Sequence, residues 1–279
     1  MSCFPGSTTP CSRLGFGGAA IGLSGYLGPY DAVKSRDAAF AAVRRALAQG
    51  ITYFDTAPGY GNGLSEEIIG EALEGRDDVL LATKVPIAAA ADVRGSLETS
   101  LRRLRRSSVD LLQIHGSSIG ADDVVQILGP GGMLSQMRQL RDEGLVRAIG
   151  FTSEDNNRGL DELIDCSGFD AMQIAYNLLL QHAYEPTRPF GSLFRAKERG
   201  LFTVAMRGFT SGIFQKWVRM VNPADRFDYS AALIQFVLSN PLIDVVLVGM
   251  RTEAEVDANV RTWRDEAGRI DIRALWTRY

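Results

Sequence analysis

Lysine is scarce in this chain, with four residues against 26 arginines, and histidine is scarcer, with only His115 and His182. There are three cysteines, Cys3, Cys11 and Cys166. Their odd number and their spacing argue against a disulfide framework or a zinc site, so no metal is expected and the thiols fit a reducing cytoplasm. Positive charge is not in excess either. A net charge of −3 offers no basic surface, which argues against nucleic acid or an anionic membrane as a partner. No apolar run approaches the roughly 20 residues of a membrane-spanning helix. The opening "MSCFPGSTTPCSR" lacks the charged start and apolar stretch of a signal peptide. What is present, 279 residues at 46% hydrophobic and 23% charged, is the composition of an ordinary soluble globular protein.

Short apolar runs alternate with longer helical patterns along the chain. The runs lie at 13–18, 51–57, 79–85, 109–115, 146–153, 171–177, 201–208 and 244–250. Helices are expected near 36–49, 65–74, 92–105, 133–143, 155–165, 190–199, 228–239 and 253–263. Ser35, Ser65 and Asp92 are placed to cap helix starts, and Gly50, Gly75, Gly144 and Gly200 fall just past helix ends. Eight strand–helix units without a composition break or linker predict a parallel sheet closed into a (β/α)8 barrel, an α/β fold of one domain spanning 1–279. Residues 1–12 and about 265–279 are terminal segments. "GFGGAA" at 15–20 matches the glycine pattern of an open dinucleotide-binding sheet. Its context does not, because a turn-rich stretch rather than a helix follows, so these glycines read as a tight first strand end.

In such a barrel, catalytic groups gather at the C-terminal ends of the strands. The second strand is expected to end in Asp55, the third in Lys84 and the fourth in His115, with Tyr60 on the loop after the second. A tyrosine has a reference pKa of about 10, too high for an efficient proton donor near neutrality. A nearby ammonium stabilises the phenolate and lowers that pKa. A carboxylate in turn keeps the lysine charged, and a neutral imidazole orients a carbonyl oxygen by donating a hydrogen bond to it. Such a set protonates a carbonyl oxygen while hydride arrives at the carbon.

The segment "FDTAPGYGNGLSEEIIGEAL" at 54–73 resembles the signature of the aldo-keto reductase superfamily, and so do "ATKV", "SLRRLRRSSVDLLQIH", "QIAYN" and "VGMRTEAEVDAN", in that order along roughly 13–260. The resemblance implies a barrel that reduces small-molecule carbonyls with a nicotinamide dinucleotide. It implies Tyr60 as general acid/base, Lys84 and Asp55 as its electrostatic support, and His115 as orienter of the carbonyl. It further implies cofactor contacts from Thr152, Ser153, Gln173 and Tyr176, with Ser153 standing where the family commonly has an asparagine. Pyrophosphate is expected at the loop Arg207, Gly208, Phe209, Thr210, Ser211 and Gly212. Adenosine is expected at Gly249, Arg251, Thr252, Glu255 and Asn259. Glu255 would repel a 2′-phosphate, whereas Arg251 and Arg261 favour one. The family's habit puts NADP ahead of NAD.

Two other functions are compatible with the residues. One is an NAD-linked aldose dehydrogenase, since "FDTAPGYGNGLSE" also resembles those members; the other is a non-catalytic, cofactor-sensing subunit, against which the intact tetrad argues. Substrate identity and oligomeric state are not legible. Tyr26, Tyr30, Trp217, Trp276 and Tyr279 are candidate pocket walls, and His182 is expected on a surface loop.

Overall fold

Short, nearly continuous apolar runs form eight strands buried on both faces, as a parallel sheet covered by helices requires. In the computed structural model these are β1 (Leu14–Gly17), β2 (Tyr53–Asp55), β3 (Leu80–Pro86), β4 (Val109–His115), β5 (Val146–Ser153), β6 (Ala171–Ala175), β7 (Phe202–Met206) and β8 (Val245–Val248). The structure describes residues 4–26, 28–185 and 190–276, without the side chain of Trp276. All strands are parallel and pair in chain order, and β8 closes onto β1. Each expected apolar run contains its strand except that β3 extends one residue further, to Pro86, and the fold is the single-domain (β/α)8 barrel that the pattern predicts.

The core has two parts. Outward-facing strand residues such as Phe54, Leu112 and Phe151 pack against the helices. Inside the barrel a smaller cluster joins Phe4, Cys11, Tyr53, Leu80, Ala82, Leu111, Ala148, Ala171 and Phe202. Phe4 fills the barrel floor, edge-on to Phe202 at 5.2 Å and tilted against Tyr53 at 6.4 Å. Two residues beyond Tyr53, Ala82, Leu111 and Ala171 on the same inward face come Asp55, Lys84, Gln113 and Gln173, all buried. The interior therefore changes from apolar to polar at the mouth. This is the placement that the strand period dictates.

The expected helices appear as Arg36–Ala48, Leu64–Ala72, Val93–Leu104, Met133–Asp142, Arg158–Asp165, Ser192–Glu198, Ser230–Leu238 and Glu253–Arg264. Asp92 caps one of them by accepting from Gly95 N at 2.8 Å. Gly50, Gly75, Gly144 and Gly200 take the left-handed conformation that ends a helix. Ser35 stands at a cap position but its side chain caps nothing. Ser65 is not a cap. The helix begins one residue earlier, after Gly63, and the Ser65 hydroxyl instead donates to Gly18 O and accepts from Thr56 Oγ1, both at 2.9 Å. Helices at Ala19–Gly22, Ala121–Leu128, Ile213–Val221 and Ile272–Trp276 were not expected. The first is a single turn following the glycine-rich stretch. No helix among the described residues is long and apolar enough to cross a membrane.

Candidate active site

Four side chains from three strands and one loop meet at the barrel mouth. Lys84 Nζ donates to Asp55 Oδ1 at 2.6 Å and to Thr56 O at 2.7 Å, and neither Lys84 nor Asp55 reaches solvent. The same ammonium lies 5.0 Å from the centre of the Tyr60 ring. His115 meets that ring edge-on, with centroids 5.7 Å apart and planes at 86°. Tyr60 is held by backbone contact rather than by its ring alone. Gly61 takes φ +68°, and a Cβ there would sit 2.2 Å from Gly22 O. Only glycine permits both the conformation and the approach.

Electrostatics at the mouth are governed by burial. Desolvation pushes the Asp55 carboxyl up, and Lys84 and Gln113 pull it back. Desolvation works against the Lys84 ammonium, but Asp55 and Tyr60 together hold its pKa above the ordinary lysine value. Burial raises the Tyr60 phenol, with Lys84 pulling it down less strongly. The expected lowering by lysine is thus present but outweighed, and the unliganded tyrosine is fully protonated at neutral pH. Burial first and then Lys84 lower His115 to about 4, leaving a neutral imidazole.

These residues line a cavity of about 240 Å³ at the C-terminal end of the barrel. Among the expected cofactor residues, Thr152, Gln173, Arg207, Gly208, Phe209, Ser211 and Gly249 line it as well. Arg207, Thr210, Ser211 and Gly212 all take positive φ, between +52° and +75°, which is unusual backbone for a branched residue such as Thr210.

Other expected contacts lie outside the cavity. The Ser153 hydroxyl is engaged by Ser117 O and by the backbone of Asp155. Tyr176 is fully buried, stacked on Phe236 at 5.7 Å and edge-on to Tyr184. Thr210 Oγ1 accepts from Phe214 N at 3.1 Å. Thr252 caps the last long helix by accepting from Glu255 N at 3.2 Å, and the exposed Glu255 carboxylate accepts from Arg251 N at 2.6 Å. Asn259 is buried on that helix. The Arg251 guanidinium turns to the segment after β1, as described below. Among the candidate walls, Tyr26 lines the cavity, Trp217 is 54% exposed, and Tyr30 packs under Arg251. Tyr279 and Cys3 fall outside the described residues, and so does the Trp276 side chain. His182 is half-buried.

Three contributors were missed from the sequence. Gln113 Nε2 donates to Asp55 Oδ2 at 3.1 Å and to Gln173 Oε1 at 3.3 Å, joining the ion pair to strand six. It shares the inward face of β4 with His115, so the period-two rule applied one step earlier would have found it. Met206 lines the cavity beside Gln173, its sulfur 3.5 Å from Gln173 Nε2. Glu154 accepts from Arg207 at 2.6 Å, and this ion pair crosses the end of strand six at the cavity edge.

Comparisons with known proteins identify the family. A family model described as the aldo/keto reductase family matches residues 13–230. Aldo-keto reductase YhdN of Bacillus subtilis is 29% identical over 289 residues, covering 88% of this chain and 83% of that one. L-galactose dehydrogenase of Arabidopsis thaliana is 36% identical over 152 residues, covering 50% of this chain and 44% of that one. Among solved structures, an aldo/keto reductase from Klebsiella pneumoniae in complex with NADP and acetate superposes with a TM-score of 0.73 at 22% identity, covering 96% and 90% of the two chains, and so shares the fold. With the family model matched over most of its length, this chain belongs to the aldo/keto reductase family and is an NAD(P)-dependent oxidoreductase.

Proposed function

We infer that the chain reduces an aldehyde or ketone to an alcohol, with Tyr60 as the proton donor. The observation that carries this is the buried Asp55–Lys84 pair beneath Tyr60, with a neutral His115 against the same ring in one cavity. A carbonyl oxygen at the mouth would accept from the His115 imidazole N–H and from the Tyr60 hydroxyl. As Tyr60 gives up its proton, Lys84 stabilises the phenolate, and Asp55 keeps Lys84 charged in a site where an isolated ammonium is costly.

A nicotinamide dinucleotide, when bound, supplies hydride to the carbonyl carbon. The residues present suit one. Within the loop 207–212, Thr210 N and Gly212 N are already donated to Arg207 O and Phe209 O, so a phosphate at the cavity would be met by the N–H groups of Gly208, Phe209 and Ser211, which line it. Among the described residues Gln173 Nε2 donates only to the Met206 thioether, a weak acceptor that a carboxamide oxygen would outdo. Thr152, Gln173, Gly208, Phe209, Ser211 and Gly249 would hold the cofactor across the mouth, with Thr252, Glu255 and Asn259 near its adenosine. NADPH is placed ahead of NADH on the family's habit and on the NADP bound by the Klebsiella relative. The substrate is a small molecule, and a cytoplasmic location fits the free thiols.

The similarity to L-galactose dehydrogenase and the carboxylate of Glu255 favour a second reading, NAD-linked oxidation of an aldose by the same groups in reverse. A steady-state panel decides. Aldehydes and ketones are offered with NADPH and NADH, aldoses with NADP and NAD, beside a Tyr60→Phe variant. Reduction is expected to fall by about 10²–10⁴-fold in Tyr60→Phe with dinucleotide binding retained. Turnover of aldoses alone would favour the second reading, and unchanged turnover in Tyr60→Phe would refute both.

A further inference from the structure

Arg251 follows β8 at the end where adenosine is expected, yet it does not line the cavity. Its Nε donates to Ala20 O at 3.0 Å, a terminal nitrogen donates to Tyr26 O, and its guanidinium carbon lies 4.1 Å from the centre of the Tyr30 ring. Its backbone N–H is already given to Glu255. Donors on a cation make the stronger hydrogen bonds, and a stacked tyrosine adds a cation–π attraction. The segment so held is also tied to itself, by Gly25 N donating to Tyr30 O at 2.9 Å and Ala32 N to Ser24 Oγ at 3.0 Å. A Cβ on Gly249 would lie 2.6 Å from that of Ala20, so the end of β8 touches the same segment. Ala20, Leu23 and Tyr26 face the catalytic cavity.

We propose that Arg251 is a positioning residue for the carbonyl pocket, clamping Ala20, Tyr26 and Tyr30 against the end of β8, rather than a ligand for the 2′-phosphate of the cofactor. The clamp fixes where Leu23 and Tyr26 stand when a substrate approaches Tyr60. This rests on the carbonyl-reducing function inferred above, but its structural part is measurable without turnover.

The test uses the full chain with Arg251→Met, Tyr30→Leu and Tyr30→Phe. Amide hydrogen exchange is followed in peptides covering residues 19–32, dissociation constants for NADPH and NADH are titrated by fluorescence, and KM and kcat are measured for an aldehyde. Arg251→Met and Tyr30→Leu are expected to speed exchange by about tenfold. They are expected to raise KM by about tenfold with kcat changed less than about twofold and both dinucleotide affinities unmoved. Tyr30→Phe keeps the ring and loses the long 3.5 Å hydrogen bond from the hydroxyl to Ile21 O, so its exchange is expected to stay within about twofold of the parent. A loss of about tenfold or more in NADPH affinity alone, with exchange and KM unchanged, would overturn the proposal in favour of a phosphate ligand. Unchanged values in all three measurements would overturn it too. Should Arg251→Met fail to fold, the two Tyr30 variants decide by their difference in exchange. If the parent binds dinucleotide but turns over no carbonyl, the inferred function fails, and exchange alone still judges the clamp.

Discussion

Lys84 Nζ lies 2.6 Å from Asp55 Oδ1, and both side chains are closed off from solvent inside the barrel mouth. A buried ion pair is worth little beside an apolar replacement of the same volume, but breaking one side of it strands a charge. Stability therefore gives the pair little account, whereas its place 5.0 Å from the Tyr60 ring suits the role proposed for it above.

This leads to a separation of stability from activity. Asp55→Leu alone and Lys84→Met alone should each destabilise the fold by about 3–5 kcal/mol, read from urea unfolding. The double variant should recover most of that loss while remaining inactive. If the double variant is as unstable as the worse single one, the coupling is not pairwise and Gln113, which also donates to Asp55, shares it.

Acid should weaken the fold through His115. Its folded pKa is lowered to about 4, against about 6.5 when unfolded, by burial and by Lys84. Between those values the unfolded chain binds a proton that the folded chain does not. Stability is therefore unaffected above about pH 6.5 and falls as pH drops through that window, by at most about 3 kcal/mol below pH 4. With only two histidines in the chain, the His115 titration is directly assignable by NMR in a His182→Gln background. A titration midpoint near 6.5 in the folded protein would remove this source of acid sensitivity.

Glu66 carries a structural prediction. It is fully buried, accepting from Thr83 Oγ1 at 2.7 Å and from Arg103 at 3.2 Å, and it ties the helix Leu64–Ala72 to strand three and to the helix Val93–Leu104. Glu66→Ala strands both donors and should cost about 2–4 kcal/mol in urea unfolding. Glu66→Gln keeps an acceptor for Thr83 and should cost less. Equal losses in the two variants would show that the charge, not the hydrogen bond to Thr83, carries the contribution.

Glu66 also marks the limit of what was legible. It stands in "GLSEE", where an acidic residue near a helix start reads as solvent-exposed, and nothing local announces Arg103 arriving from 37 positions away. The barrel itself was legible because short apolar runs and glycine stops are local signals. Asp55, Lys84 and His115 were legible for the same reason, as polar residues at the C-terminal ends of apolar runs. Gln113 was hidden inside its run, and Met206 looked like ordinary core. The Glu154–Arg207 pair joins residues 53 apart, and no spacing rule reaches that far. Ala121–Leu128 and Ile213–Val221 lie outside the expected helices; each follows a polar, glycine-bearing stretch, 116–120 and 207–212, that signals a turn and hides the helix after it.

Glu255 offers the last test because two roles meet on one side chain. Its backbone N–H donates to the Thr252 hydroxyl, and its carboxylate accepts from Arg251 N, a reciprocal cap on the helix Glu253–Arg264. The same exposed carboxylate would stand against a 2′-phosphate. Glu255→Gln preserves an acceptor for the cap and removes the charge, so it should raise the NADPH-to-NADH affinity ratio by about five- to tenfold, about 1 kcal/mol, with little change in thermal stability. Glu255→Arg should raise the ratio further and, having lost the acceptor, lower stability by about 1 kcal/mol. Fluorescence titration of both dinucleotides against both variants, beside thermal melts, separates the roles. A stability loss in Glu255→Arg with no change of ratio in either variant would leave Glu255 as a helix cap alone and place the adenosine away from the start of this helix.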